Sequence, residues 1–181
     1  MKYDNKTIKL KNGQSAILRA PSANDAAELI AYMKTVFGET DFLMRYPEEF
    51  EMSVEDEAKI LEGLESSETS LMICCEADGK LVGNCQLSFN QRIKTAHRAT
   101  IAISVLKDYW GQGIGTALFE EMIKVSKDKG VLQMELEFVE GNERAKRLYE
   151  KIGFAVVAEK PNAIRLKDGT MLKEYFMVKY L

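Results

Sequence analysis

The stretch Ile101-Ala102-Ile103-Ser104-Val105, Leu106-Lys107-Asp108-Tyr109-Trp110, Gly111-Gln112-Gly113-Ile114-Gly115-Thr116-Ala117-Leu118-Phe119 decides the fold. An apolar alternating run, glycines at every second position and an apolar pattern of helical spacing read as strand, loop and helix. Glycines ahead of a helix leave backbone N–H groups unobstructed, and the helix dipole adds positive potential there. The segment Gly111, Gln112, Gly113, Ile114, Gly115 and Thr116 therefore reads as an anion cradle for a phosphorylated ligand.

Two familiar phosphate loops do not fit. A P-loop needs Lys and then Ser or Thr after its last glycine, whereas Gly115 is followed by Thr116 and Ala117. A dinucleotide fingerprint needs glycine or alanine three residues after its second glycine, and Thr116 stands there. Glu135 lies at the distance of a ribose-binding acid, but it falls inside a strand between Met134 and Leu136 rather than at a strand's end.

A second segment gives the loop its context. Asn142-Glu143-Arg144-Ala145 leads into Leu148-Tyr149-Glu150-Lys151 and closes on Gly153-Phe154. Together with Gly113-Ile114-Gly115 after an extended strand, this resembles the two conserved blocks of the GNAT superfamily of N-acetyltransferases, in the right order and separated by one helix and one strand. The resemblance covers roughly residues 15 to 180 and is strongest from Ile101 to Phe154. It implies an α/β (α+β) fold in a single domain spanning 1–181, with a mixed, mostly antiparallel central sheet splayed at the acetyl-CoA site and flanked by helices. One position departs from the family pattern: three residues before Gly113, where Arg or Gln is usual, stands Trp110.

The resemblance also implies the chemistry, an acetyl-CoA-dependent transfer of an acetyl group directly to a primary amine with no covalent enzyme intermediate. The loop amides of Gly111 to Thr116 would hold the pyrophosphate, and the pantetheine arm would pair with the main chain near Ser104 and Val105. Asn142 would contact CoA besides serving as a helix N-cap. Tyr149, in its Leu-Tyr-Glu-Lys context, would protonate the departing thiolate, although it also lies on an apolar helical stripe with Ala145, Leu148 and Ile152. No carboxylate precedes the glycine loop where family members often carry their base, since Ala99 and Thr100 occupy that region. Glu135 and Glu137 share one strand face; Glu135 is favoured as the base because Glu137 lies further towards the Asn142 loop. The acceptor stays open between a small amine and a peptide amine. A catalytically silent acyl-CoA-binding or sensing module, which would need the loop but no acid, is the alternative from another class.

The 181 residues suffice for one domain with a substantial core. Hydrophobic residues make up 46% and charged residues 29%, as in an ordinary globular protein, and the formal net charge is −3. No block of Lys and Arg suggests nucleic acid as a partner. The polar N-terminus carries no signal peptide and no run is apolar enough to span a bilayer, so a cytoplasmic location with no membrane partner is expected. Self-association as a homodimer is left open. Cys74, Cys75 and Cys85 lack zinc spacing and read as buried strand residues, so no metal is expected. His97 reads as a surface residue.

Around the two blocks the chain alternates helices and strands. Ser22 and Asp25 open a first helix with Ala26, Leu29, Ile30, Met33 and Phe37 at helical spacing, and Ser53 opens a second with Val54, Ala58, Leu61 and Leu64. Phe42-Leu43-Met44-Arg45-Tyr46-Pro47 between them has no period and reads either as a cover of the core edge or as a wall of a substrate pocket. Asp78-Gly79-Lys80 and Lys167-Asp168-Gly169-Thr170 mark two hairpin turns.

Overall fold

A computed structural model describes all residues, 1–181. The polar N-terminus, to which the sequence reading assigned no element, forms a hairpin of β1 (Lys6–Lys9) and β2 (Ser15–Arg19). A single 3-10 turn at Ala23–Asp25 then leads into α1 (Ala26–Gly38), so the helix proper starts one residue after Asp25. The Asp25 carboxylate accepts from the Ser22 N–H at 2.6 Å and is also gripped by the two guanidinium nitrogens of Arg19 at 2.7 and 2.9 Å. Ser53 caps α2 (Val54–Ser66), accepting from the Asp56 N–H at 3.1 Å.

The remaining elements follow the sequence reading closely. They are β3 (Ser70–Ala77), β4 (Lys80–Phe89), β5 (Arg98–Val105), α3 (Ile114–Asp128), β6 (Gln133–Val139), α4 (Glu143–Ile152), β7 (Ala155–Arg165) and β8 (Met171–Tyr180). One eight-stranded sheet has the order β1-β2-β3-β4-β5-β6-β8-β7. Every neighbouring pair is antiparallel except β5 and β6, which run parallel. The fold is thus a single α/β domain with a mixed, mostly antiparallel sheet.

Helices cover both faces because strands alternate their side chains between them. On one face Leu29, Tyr32, Val36 and Leu61 of α1 and α2 pack on Met72 and Cys74. On the other, Ile114, Leu118, Phe119 and Met122 of α3 and Tyr149 of α4 pack on Ile73, Cys85, Ile101, Met134 and Leu136. The three cysteines are free and buried on these faces, and burial pushes the Cys74 and Cys75 thiols up to about 12, which leaves them as inert packing groups.

The parallel pair positions the site. β5 and β6 stay in register for three residues only, Arg98 opposite Gln133, Ala99 opposite Met134 and Thr100 opposite Glu135. Beyond that point β5 stays with β4 up to Val105 opposite Gly83, while β6 stays with β8 up to Val139 opposite Glu174. The sheet therefore splits between Ile101 and Val105 on one side and Leu136 and Val139 on the other.

Candidate active site

The register of β5 decides which of its peptide groups face the split. Leu106 N–H donates to Val82 C=O at 3.0 Å and Asn90 N–H to Arg98 C=O at 3.3 Å, which makes the even-numbered residues of β5 the hydrogen-bonded partners of β4. The peptide groups of Ile103 and Val105 consequently point the other way, into the gap. Ser104, expected from sequence to offer its main chain there, has its peptide groups turned to β4, and its hydroxyl is hydrogen-bonded to the Tyr32 hydroxyl at 2.8 Å. Ile103 takes the place expected of Ser104 beside Val105.

At one end of the gap lies the glycine loop. No backbone N–H from Gly111 to Thr116 donates to a backbone acceptor, and the first bond of α3 runs from the Ala117 N–H to Gly113 C=O at 3.1 Å. Gly113 is the N-cap with φ +95°, a left-handed conformation that costs any other residue about 1–2 kcal/mol. A Cβ added at Gly111 or Gly113 would meet nothing within 4 Å, so both open onto free space. Gly115 has a different reason to be glycine: a Cβ there would stand 2.8 Å from Leu148 Cδ2, so its small size lets α4 pack close to the start of α3. The β1–β2 turn steadies the loop, with Lys11 N–H donating to Gln112 C=O at 3.2 Å and Asn12 N–H to Gln112 Oε1 at 3.1 Å.

Trp110, the departure from the family pattern, has two partners. Its Nε1–H donates to Val105 C=O at 2.7 Å, and the Arg144 guanidinium lies 3.5 Å over its ring centroid. Arg144, Arg147 and Lys151 project from one side of α4 into the cleft beside the loop, and Lys11 joins them from the β1–β2 turn, against the single carboxylate of Glu120. These four cations suit a polyanionic ligand. The sequence reading overlooked them, although the spacing of Arg144, Arg147 and Lys151 places them on one helical face. Lys11 is brought there only by the N-terminal hairpin.

The cleft continues into the gap along Val105, Trp110, Arg144 and Leu148, where Tyr149 and Asn142 line it. Asn142 caps α4, its Oδ1 accepting from the Ala145 N–H at 3.2 Å. The Tyr149 ring packs edge-on against Phe119 at 5.6 Å and Phe138 at 6.0 Å, and burial pushes its phenol up to about 12. Packing and a place in the cleft thus coexist in Tyr149.

Past Tyr149 the gap opens on the opposite face of the sheet, walled by Phe42, Leu43 and Met44 of the aperiodic loop and floored by Glu137 and Glu174. Glu135 is not brought into this cleft. Its carboxylate accepts from Arg98 at 3.1 Å and from Gln133 Nε2 at 2.7 Å at the apex of the split, where β5 and β6 are still paired. On the strand face that Glu135 shares with Glu137, the carboxylate that reaches the opening is Glu137. Glu174, on β8, drew no attention in the sequence. His97 is exposed in the turn ahead of β5, and no group of three or more His, Cys, Asp or Glu is gathered as a metal-binding set. No helix is long and apolar enough to cross a membrane.

A row of unpaired amides at a helix start is continuous with the split in the sheet, an arrangement that suits an anionic group at one end and an extended chain along the other. The family model described as Acetyltransferase (GNAT) family matches residues 38–154, and the chain belongs to that family. It is 28% identical over 109 residues to the L-amino acid N-acetyltransferase AaaT of Escherichia coli (strain K12), covering 60% of this chain and 66% of that protein. It is 39% identical over 61 residues to N-alpha-acetyltransferase 30 of Schizosaccharomyces pombe, covering 33% of this chain and 41% of that protein. The alignments thus span less than two-thirds of either relative. Among solved structures, the acetyltransferase of GNAT family from Streptococcus pneumoniae superimposes with a TM-score of 0.86 at 27% identity, covering 92% of this chain and 99% of that one.

Proposed function

We propose that this protein transfers the acetyl group of acetyl-CoA to the amine of a small acceptor within a ternary complex. The observation that carries the reading is the pair of outward-facing peptide units at Ile103 and Val105, continuous with the unpaired amides of Gly111 to Thr116. Bound acetyl-CoA supplies an activated acetyl group as a thioester. The residues present fit it: the loop amides and the cations of Lys11, Arg144, Arg147 and Lys151 bind its phosphates, and the N–H and C=O of Ile103 with the N–H of Val105 offer strand-like pairing to its amides.

The Val105 N–H serves as the donor to the reacting carbonyl, and Trp110 steadies the same residue from its other side by donating to the Val105 C=O. Tyr149 holds a phenolic proton, kept in place across the physiological range by the burial of its ring, and delivers it to the leaving sulfur as the C–S bond breaks and the C–N bond forms; the proton shed by the amine passes to water and restores the phenol. Asn142 fixes the start of α4 and with it the position of Tyr149. The carboxylates of Glu137 and Glu174 draw an amine to the far side of the gap.

The test is thermal unfolding with and without ligand, followed by a screen of amines for CoA release. Acetyl-CoA at saturation is expected to raise the melting temperature and NAD to leave it unchanged. Stabilisation by both alike, or by neither, overturns the reading. Stabilisation by acetyl-CoA with no CoA release from any amine would favour a silent acyl-CoA-binding module.

A further inference from the structure

We propose that the acceptor side of the cleft takes an aliphatic diamine, one nitrogen presented at the gap and the other held as an ammonium between Glu137 and Glu174. The proposal rests on the acyl-transfer reading and names its substrate class.

The charge of the cleft changes sign through the sheet. Its phosphate end carries four cations and one carboxylate, whereas its acceptor end carries Glu137 and Glu174 and no cation. Glu174 is only 9% exposed, yet it forms no ion pair or hydrogen bond with the protein and lines the cleft floor. Its oxygens keep contact with solvent through the cleft, but a half-withdrawn carboxylate without a partner still carries a desolvation cost. Burial first, and then the neighbouring Glu137, push its pKa upward, and Lys160, opposite it on β7, offsets this only in part. A cation arriving from outside would relieve that cost.

One amine does not account for two such carboxylates. The attacking nitrogen must lose its proton, while a nitrogen lodged against a carboxylate retains it, because an opposite charge nearby favours the charged form. The two tasks therefore suit two nitrogens. Glu137 is on β6, which borders the gap, and Glu174 is one strand further out on β8, opposite Val139 rather than Glu137, so the two lie on a diagonal of about 7–8 Å. That offset suits a short alkyl chain, and Phe42, Leu43, Met44 and Val139 give its methylenes apolar walls.

Calorimetric titration of 1,4-diaminobutane and of 1-aminobutane into the CoA-saturated protein tests this. The diamine is expected to bind at least about tenfold more tightly. Glu174→Gln should abolish that preference while CoA affinity stays that of the parent protein, which also shows that the variant is folded; Glu137→Gln should weaken it. Equal affinity for the two amines overturns the proposal, as does a preference that survives both substitutions. Repeating the titration without CoA separates the two readings: failure of CoA to bind removes the acyl-transfer reading, whereas the diamine preference is still read directly from the carboxylates.

Discussion

The Arg144 guanidinium lies 3.5 Å over the centroid of Trp110, and the same indole donates to Val105 C=O at 2.7 Å. The loop position that usually offers Arg or Gln thus serves here as a platform, and the cation comes from α4 instead. Stacking orients the guanidinium while its N–H groups stay free for oxygen ligands. Arg144→Ala is expected to weaken CoA binding by about 10- to 100-fold, the range of a hydrogen bond to a charged group. Binding of a pantetheine thioester lacking the pyrophosphate should hardly change. Equal losses for both ligands, measured by calorimetry, would place Arg144 outside phosphate recognition.

Gly113 and Gly115 stand two residues apart and should fail differently. Gly113→Val imposes a β-branched side chain on a φ of +95° and fills the mouth of the cradle, so CoA affinity should fall while the fold survives. Gly115→Val instead drives Leu148 away from α3, and the expected reading is a lower melting temperature even without ligand. Identical behaviour in thermal melts and titrations would contradict this division.

Tyr149→Phe keeps the aromatic packing against Phe119 and Phe138 and deletes the hydroxyl. Turnover should drop by about 10²-fold or more, with CoA affinity and melting temperature close to those of the parent. A fully active, folded variant would reduce Tyr149 to a packing residue.

Glu135→Gln addresses the carboxylate that the sequence favoured as a base. With Arg98 and Gln133 as its partners at the apex of the split, its loss should lower stability and leave the pH dependence of turnover in place. A pH–rate profile whose acid limb moves in this variant would return Glu135 to the proton-transfer path.

The Arg19–Asp25 pair predicts acid sensitivity. The two bonds from Arg19, followed by those from Ser22, hold the Asp25 carboxyl at about 2 against 3.8 for a free side chain. Such a depressed value stabilises the fold fully above the unfolded value and ceases to do so as pH falls through the folded one, a contribution of about 2 kcal/mol at neutral pH. Denaturant melts of Asp25→Asn should show that loss at pH 7 and a flatter decline between pH 4 and 2. An unchanged slope would mean that Asp25 is not the group responsible.

Most of the architecture was legible because it follows from local pattern: the alternation of Leu132 to Phe138, the Ser53 cap, and the glycine loop between strand and helix. What stayed hidden depends on where strands part and which way peptides turn. Glu135 and Glu137 lie on one face, and only the end of the β5–β6 ladder at Thr100 and Glu135 decides which of them meets the opening. Ser104 and Ile103 differ only in the parity of the β4–β5 register. The β1–β2 hairpin escaped because Lys6–Lys9 carries almost no buried side chain to mark it. Trp110 read only as a departure from the family pattern, because its partner Arg144 is separated from it by a helix and a strand.

A split that passes through the sheet has two doorways. The one beside α3 and α4 is cationic and the one over Glu137 and Glu174 is anionic, so reactants bound as proposed come from opposite sides and neither stands in the other's path. Acetylation neutralises the nitrogen it modifies, and the product then carries less of the charge that drew the acceptor in. Inhibition by free CoA should accordingly be competitive towards acetyl-CoA and not towards the amine, the kinetic signature of a passage that is never shared.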